Sequence, residues 1–160
     1  MLLLTLGGVY ADLDVYSVGP LAGLWNCTID VGFVAVQETV LDAGATTFNT
    51  HSGRFIRPTR VANYFFASER ASPIMAEILA TAMSRVRAHP TAETQDDVIL
   101  TTGPDAMTEG LFGGPPPSDA LPSRTRMATR AEADLAVSHH ARGGWRLQFE
   151  AFRNGGSYKW

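Results

Sequence analysis

The chain has 160 residues, 45% of them hydrophobic, the size of one domain able to bury a core. Its net charge is −3, and its 13 basic residues include a single lysine, Lys159, and form no basic stripe, which argues against nucleic acid as the principal partner. One cysteine, Cys27, excludes an internal disulfide framework and any cysteine-built metal cluster, and is expected as a small buried hydrophobe.

Apart from Thr5, the first six residues are apolar. They are far fewer than the roughly 20 a membrane helix needs, and without a basic start they do not form a signal peptide, so neither a spanning nor a targeting segment is expected. Gly7-Gly8-Val9-Tyr10-Ala11-Asp12-Leu13-Asp14 follows, with two carboxylates one residue apart behind a paired-glycine turn. From 9 to 15, Val9, Ala11, Leu13 and Val15 alternate with Tyr10, Asp12 and Asp14, which predicts a strand with both carboxylates on one side. A hard divalent cation takes one or two carboxylates and fills its shell with water and phosphate oxygens, so Asp12 and Asp14 form a candidate site for Mn²⁺ or Mg²⁺.

Gly19-Pro20 and Gly23 predict a loop over 17–24, and Asn26-Cys27-Thr28 is read as an incidental match to the N-glycosylation pattern. Residues 31–40, rich in Val and Phe, predict a strand, and 42–60, with Gly44, Gly53 and Pro58, a loop. A strand or a helix start is expected over 61–67. Ser72-Pro73 opens a helix with Ser72 as its cap, carried by Ile74, Ile78, Leu79, Met83 and Val86 and ending near His89-Pro90. A short strand is predicted over 98–102. A second helix starts at Gly103-Pro104, runs through Met107 and Leu111, and stops at Gly113-Gly114-Pro115. Residues 114–130 are expected as an exposed connector, 133–152 as the last ordered piece, and 153–160 as a tail.

Ser138-His139-His140-Ala141-Arg142-Gly143-Gly144-Trp145 is the second cluster with chemical potential. A neutral imidazole suits Mn²⁺, Arg142 can grip a diphosphate with two parallel hydrogen bonds, and Trp145 can close over a sugar. An isolated His-His pair is usually a surface turn; its coexistence with Asp12 and Asp14 gives this one weight.

Taken in order, Gly-Gly-Val-Tyr-Ala-Asp-Leu-Asp, Asn63-Tyr64-Phe65-Phe66-Ala67-Ser68, Thr101-Thr102-Gly103-Pro104 and His139-His140-x-x-Gly143-Gly144-Trp145 resemble the DXD-type sugar-transferring glycosyltransferases. That group includes outer-chain α-1,6-mannosyltransferases and inositol-phosphorylceramide mannosyltransferases. The resemblance implies an α/β chain with the GT-A fold, a mixed sheet flanked by helices, and transfer of a hexose with retention. The donor would be a nucleotide sugar and the acceptor a hydroxyl of a glycan, glycolipid or protein. It further implies that Gly8, Tyr10, Asp12, Asn63 and Trp145 contact the donor, and that Asp12, Asp14, His139 and His140 serve Mn²⁺ or Mg²⁺. Gly144 stands where the family commonly has Ser. Glu38 and Asp97 are the candidate general bases, without a supporting spacing, so no base is assigned.

The family places a nucleotide-binding half before the Asp-X-Asp strand, whereas six residues precede Gly7 here. The resemblance therefore implies a partial domain over 1–152, either weakly active or persisting as a non-catalytic sugar- or metal-binding module. Its compartment would be the Golgi lumen for a eukaryotic relative and the cytoplasm for a bacterial one. Asp12-Leu13-Asp14-Val15 also matches the nucleophile strand of haloacid-dehalogenase-type phosphatases. That chemistry wants a lysine well before Lys159 and an acidic pair after the Thr101 stretch, whereas Asp96-Asp97 precedes it.

Overall fold

In the computed structural model, residues 2–25, 30–40, 59–113 and 120–139 are described. Strands β1 (Gly8–Ala11), β2 (Val15–Ser17), β3 (Phe33–Val40), β4 (Thr59–Ser68), β5 (Thr125–Ala128) and β6 (Val137–His139) form two sheets. The larger has the order β1-β4-β3-β5, the smaller is a β2-β6 ribbon. Both β1 and β3 run antiparallel to β4, while β5 is parallel to β3, so the large sheet is mixed. The helices are α1 (Leu2–Leu6), α2 (Pro73–Ala88), α3 (Gln95–Thr101), α4 (Pro104–Phe112) and α5 (Arg130–Asp134). No described helix is long and apolar enough to cross a membrane.

The two central strands explain the architecture. β3 and β4 are apolar on both faces, and such strands must be covered twice. On one face Phe33, Ala35, Val61 and Phe66 pack against Met75 and Ile78 of α2 and Met107 and Leu111 of α4, with Leu3 and Leu4 of α1 at the margin. On the other, Val36, Ala62, Tyr64 and Phe65 meet Leu24, Ala133, Ala136 and Val137, so α5 and the small ribbon form the second cover. The β3–β4 register shifts between Ala35 and Gln37, opposite Phe66 and Val61. Adjacent Tyr64 and Phe65 both reach the same core there, which a regular pleat would forbid.

Helix ends follow the expected chemistry. Ser72 Oγ accepts from the Met75 amide at 3.4 Å with Pro73 behind it, as the sequence predicts for α2. Gly7, at φ +71°, ends α1, its amide donating to Leu3 O at 2.8 Å; a Cβ there would lie 2.7 Å from the Arg70 amide nitrogen. Gly110 lets α4 approach α2, since a Cβ would stand 2.5 Å from the Ile78 Cα.

Three expectations are corrected. Residues 98–102 are not a strand: Thr94 and Asp97 form a reciprocal capping box that starts α3 (Gln95–Thr101), and a cap decides what a short apolar run leaves ambiguous. Within the expected connector 114–130, Thr125–Ala128 is instead β5, whose Ala128 is buried against β3. The expected strand over 9–15 breaks at Asp12: β1 ends at Ala11, and Val15 donates back to Asp12 O at 3.0 Å, closing a turn. Leu13, expected on an apolar inner face, is fully exposed at 103%. The predicted loop 42–60 is described only at Thr59 and Arg60, which belong to β4.

A buried ionic cluster lies where α4 meets the start of β4. Arg60 Nε and Nη2 donate to Asp105 Oδ1 at 3.0 and 2.7 Å, and Glu38 Oε2 lies 3.8 Å from Arg60 Nε. That Glu38 oxygen is buried and accepts no hydrogen bond among the described residues. Burial pushes the Glu38 carboxyl above the usual range, with Asp105 adding to the shift and Arg60 opposing it. A raised folded pKa means that stability is full below the unfolded value and is lost as pH rises through the folded one. Glu38→Gln is therefore expected to raise the urea midpoint at pH 8 and to match the wild type near pH 4. An equal effect at both pH values would remove charge burial as the cause.

Candidate metal centre

The acids converge through the turn, not through a pleat. β1 pairs with β4 as far as Ala11 and Phe65, and the Asp12 amide carries the ladder one step further by donating to Tyr64 O at 2.9 Å. The turn over Asp12 to Val15 then reverses the chain into β2, whose Val15 stands opposite His139 of β6. Asp14 is thereby brought beside the imidazole, with His139 Nε2 3.6 Å from Asp14 Oδ1. One ligand atom from each of Asp12, Asp14 and His139 lies within 4.8 Å of the other two.

The donor set tests well against a divalent cation. At bond lengths of about 2.1 Å an octahedral ion holds ligand atoms roughly 3 to 4.2 Å apart, so small rotamer changes would seat all three on one ion. All three residues are partly exposed, leaving room for further ligands on the open side. Two carboxylates and one imidazole suit Mn²⁺ better than Mg²⁺, which prefers oxygen throughout.

Neighbouring groups fix this arrangement. Tyr10 Oη donates to Asp12 Oδ1 at 2.7 Å, and its ring stacks on Phe66 with centroids 4.9 Å apart. The hydrogen bond to Asp12, partial burial, and the charges of Asp12 and Asp14 push the Tyr10 hydroxyl up to about 12, so it remains a donor at neutral pH. Tyr64, 4% exposed, lays its ring on His139 at a centroid distance of 4.1 Å and an interplanar angle of 11°. Arg130 Nη1 donates to the Tyr64 hydroxyl at 2.8 Å and Arg130 Nε to Asp134 Oδ1 at 2.9 Å, tying α5 to the same support.

Of the residues singled out from sequence, Asp12, Asp14 and His139 come together and Tyr10 contacts one of them. Gly8 begins β1 with φ +119°, beside the cap of α1. Asn63 is half-buried on β4 next to Tyr64. His140, Arg142 and Trp145 lie outside the described residues, as do Cys27 and the 153–160 tail. Of the candidate bases, Asp97 is occupied as the Thr94 capping partner and Glu38 belongs to the Arg60 cluster. Tyr64 and Arg130 carry no sequence signal as site residues. Only the register that sets Val15 against His139 reveals them.

No protein-family model matches the chain, and no curated protein matches it significantly. The glycosyltransferase likeness therefore rests on the motifs quoted above.

Proposed function

We propose that this chain is a metal-dependent glycosyltransferase that moves a hexose from a nucleotide sugar to a hydroxyl of a glycan, lipid or protein, with retention. The observation that carries the reading is the meeting of Asp12, Asp14 and His139, which lie at opposite ends of the described chain. Asp12 and Asp14 of the first motif and His139, the first residue of the last, are neighbours in space. The mixed α/β architecture, with the acid pair just past a strand end, is compatible with a GT-A-type domain.

In this reading Asp12, Asp14 and His139 hold Mn²⁺ or Mg²⁺. When bound, the ion offsets negative charge on the departing nucleoside diphosphate. Tyr10 keeps one oxygen of Asp12 engaged, so the carboxylate presents a fixed orientation. Exposed Leu13 and Tyr16, on either side of Asp14, offer apolar surface to a sugar ring or acceptor.

The test incubates the purified chain with GDP-mannose, UDP-glucose and UDP-galactose, with Mn²⁺ or with EDTA, and follows nucleotide release. Release from one donor that needs Mn²⁺ and stops with EDTA is expected. Release indifferent to metal would overturn the site. Tight Mn²⁺ binding without release from any donor would overturn the transferase and leave a metal-binding module.

A further inference from the structure

We propose that Tyr64 is the positioning residue of the metal centre, acting on two of its three ligands at once; the inference rests on the metal-site reading above. The main chain of Tyr64 holds Asp12, whose amide donates to its carbonyl at 2.9 Å. Its side chain holds His139 by a ring stack at 4.1 Å and 11°.

The stack matters because both imidazole nitrogens present their lone pairs or protons in the plane of the ring. Fixing that plane fixes the directions along which His139 can meet an ion. At most metal sites a hydrogen bond to the second ring nitrogen performs this task. Among the described residues, a flat aromatic face does it here. Backbone pairing alone leaves the imidazole free to rotate about its side-chain bonds, since Val15↔His139 fixes only the Cα position.

Tyr64 is itself held firmly enough to transmit the constraint. Its ring sits in the core formed by Val36, Ala62, Ala133 and Val137, and Arg130 Nη1 grips its hydroxyl at 2.8 Å. Arg130 is in turn tied to Asp134 one turn further along α5, a helix whose start is fixed by the Thr129 and Glu132 capping box. His139 thus leans on a core side chain.

The test measures Mn²⁺ affinity from the free-ion electron paramagnetic resonance signal, with urea unfolding recorded for each variant. Tyr64→Phe keeps the stack and is expected to bind within about 3-fold of the wild type, whereas Tyr64→Leu should weaken binding by about 10-fold or more. In a His139→Ala background, Tyr64→Leu should weaken Mn²⁺ much less, because the stacking contribution passes through the imidazole. An equal loss with and without His139 would overturn the inference while leaving the metal site standing. A wild type that binds no Mn²⁺ would overturn both. A second measurement needs no variant: in the metal-free protein the His139 ring protons should resonate upfield of ordinary histidine positions, and ordinary positions would overturn the stack in solution.

Discussion

Asp14→Asn is expected to weaken Mn²⁺ binding by about 100-fold or more and to lower metal-dependent nucleotide release in step, while leaving the unfolding midpoint nearly unchanged. The asymmetry follows from its surroundings. The Asp14 carboxylate is 39% exposed and its described partner is His139, 3.6 Å away, so the amide forfeits charge at the ion and little packing. Losing a charged direct ligand should exceed the 10- to 100-fold typical of the groups that merely orient ligands, hence the estimate of about 100-fold or more. Asp12→Asn is a less clean probe, because the Tyr10 hydroxyl and the Tyr64 carbonyl both engage that residue. His139→Ala should separate metals: it removes the nitrogen ligand that favours Mn²⁺, so the Mn²⁺ to Mg²⁺ affinity ratio should fall by about 10-fold. Titrations of both ions into the three variants decide the matter, and an Asp14→Asn protein that binds Mn²⁺ like the wild type would remove the site.

The acids were legible in the sequence for a reason only partly right. Their spacing and their glycine-led approach mark them, but period-2 alternation does not give them a shared face, because β1 stops at Ala11 and a turn takes over. In a turn the two carboxylates converge by chain reversal, and the residue between them is expelled to solvent, which is why Leu13 is exposed. His139 was nameable as a residue type but not as a partner of Asp14, because that pairing depends on a long-range register. The β3, α2 and α4 segments were readable from apolar runs and Ser-Pro or Gly-Pro starts, signals that are local, whereas the run over 61–67 left strand and helix start open and is β4. β5 was not, since Thr125–Ala128 is four residues long and becomes a strand only by lying parallel to β3. The same limit hid α3, whose apolar content suits a strand and whose identity is settled by a side-chain cap.

Asp105→Ala is expected to destabilise the fold by about 3 kcal/mol at neutral pH, the lower end of the range for breaking a buried ion pair. Arg60 is 6% exposed and directs both Nε and Nη2 at Asp105 Oδ1, so the substitution takes two charge-assisted hydrogen bonds from a desolvated guanidinium. Glu38 softens the loss. With the Asp105 charge gone, one of the influences that push the Glu38 carboxyl upward disappears, and the 3.8 Å contact to Arg60 Nε can strengthen. The effect should reach the Asp12, Asp14 and His139 cluster only weakly, because Val61 remains anchored by its amide to Thr108 Oγ1 at 2.9 Å and Tyr64 lies further along β4. Replacing both partners, Arg60→Met with Asp105→Leu, should recover most of the stability, since exchanging a whole buried pair for apolar groups is often neutral. Urea unfolding of the wild type, the single variant and the double variant at pH 7 measures this. A single variant within about 1 kcal/mol of the wild type would mean that the buried pair contributes no more than a surface one.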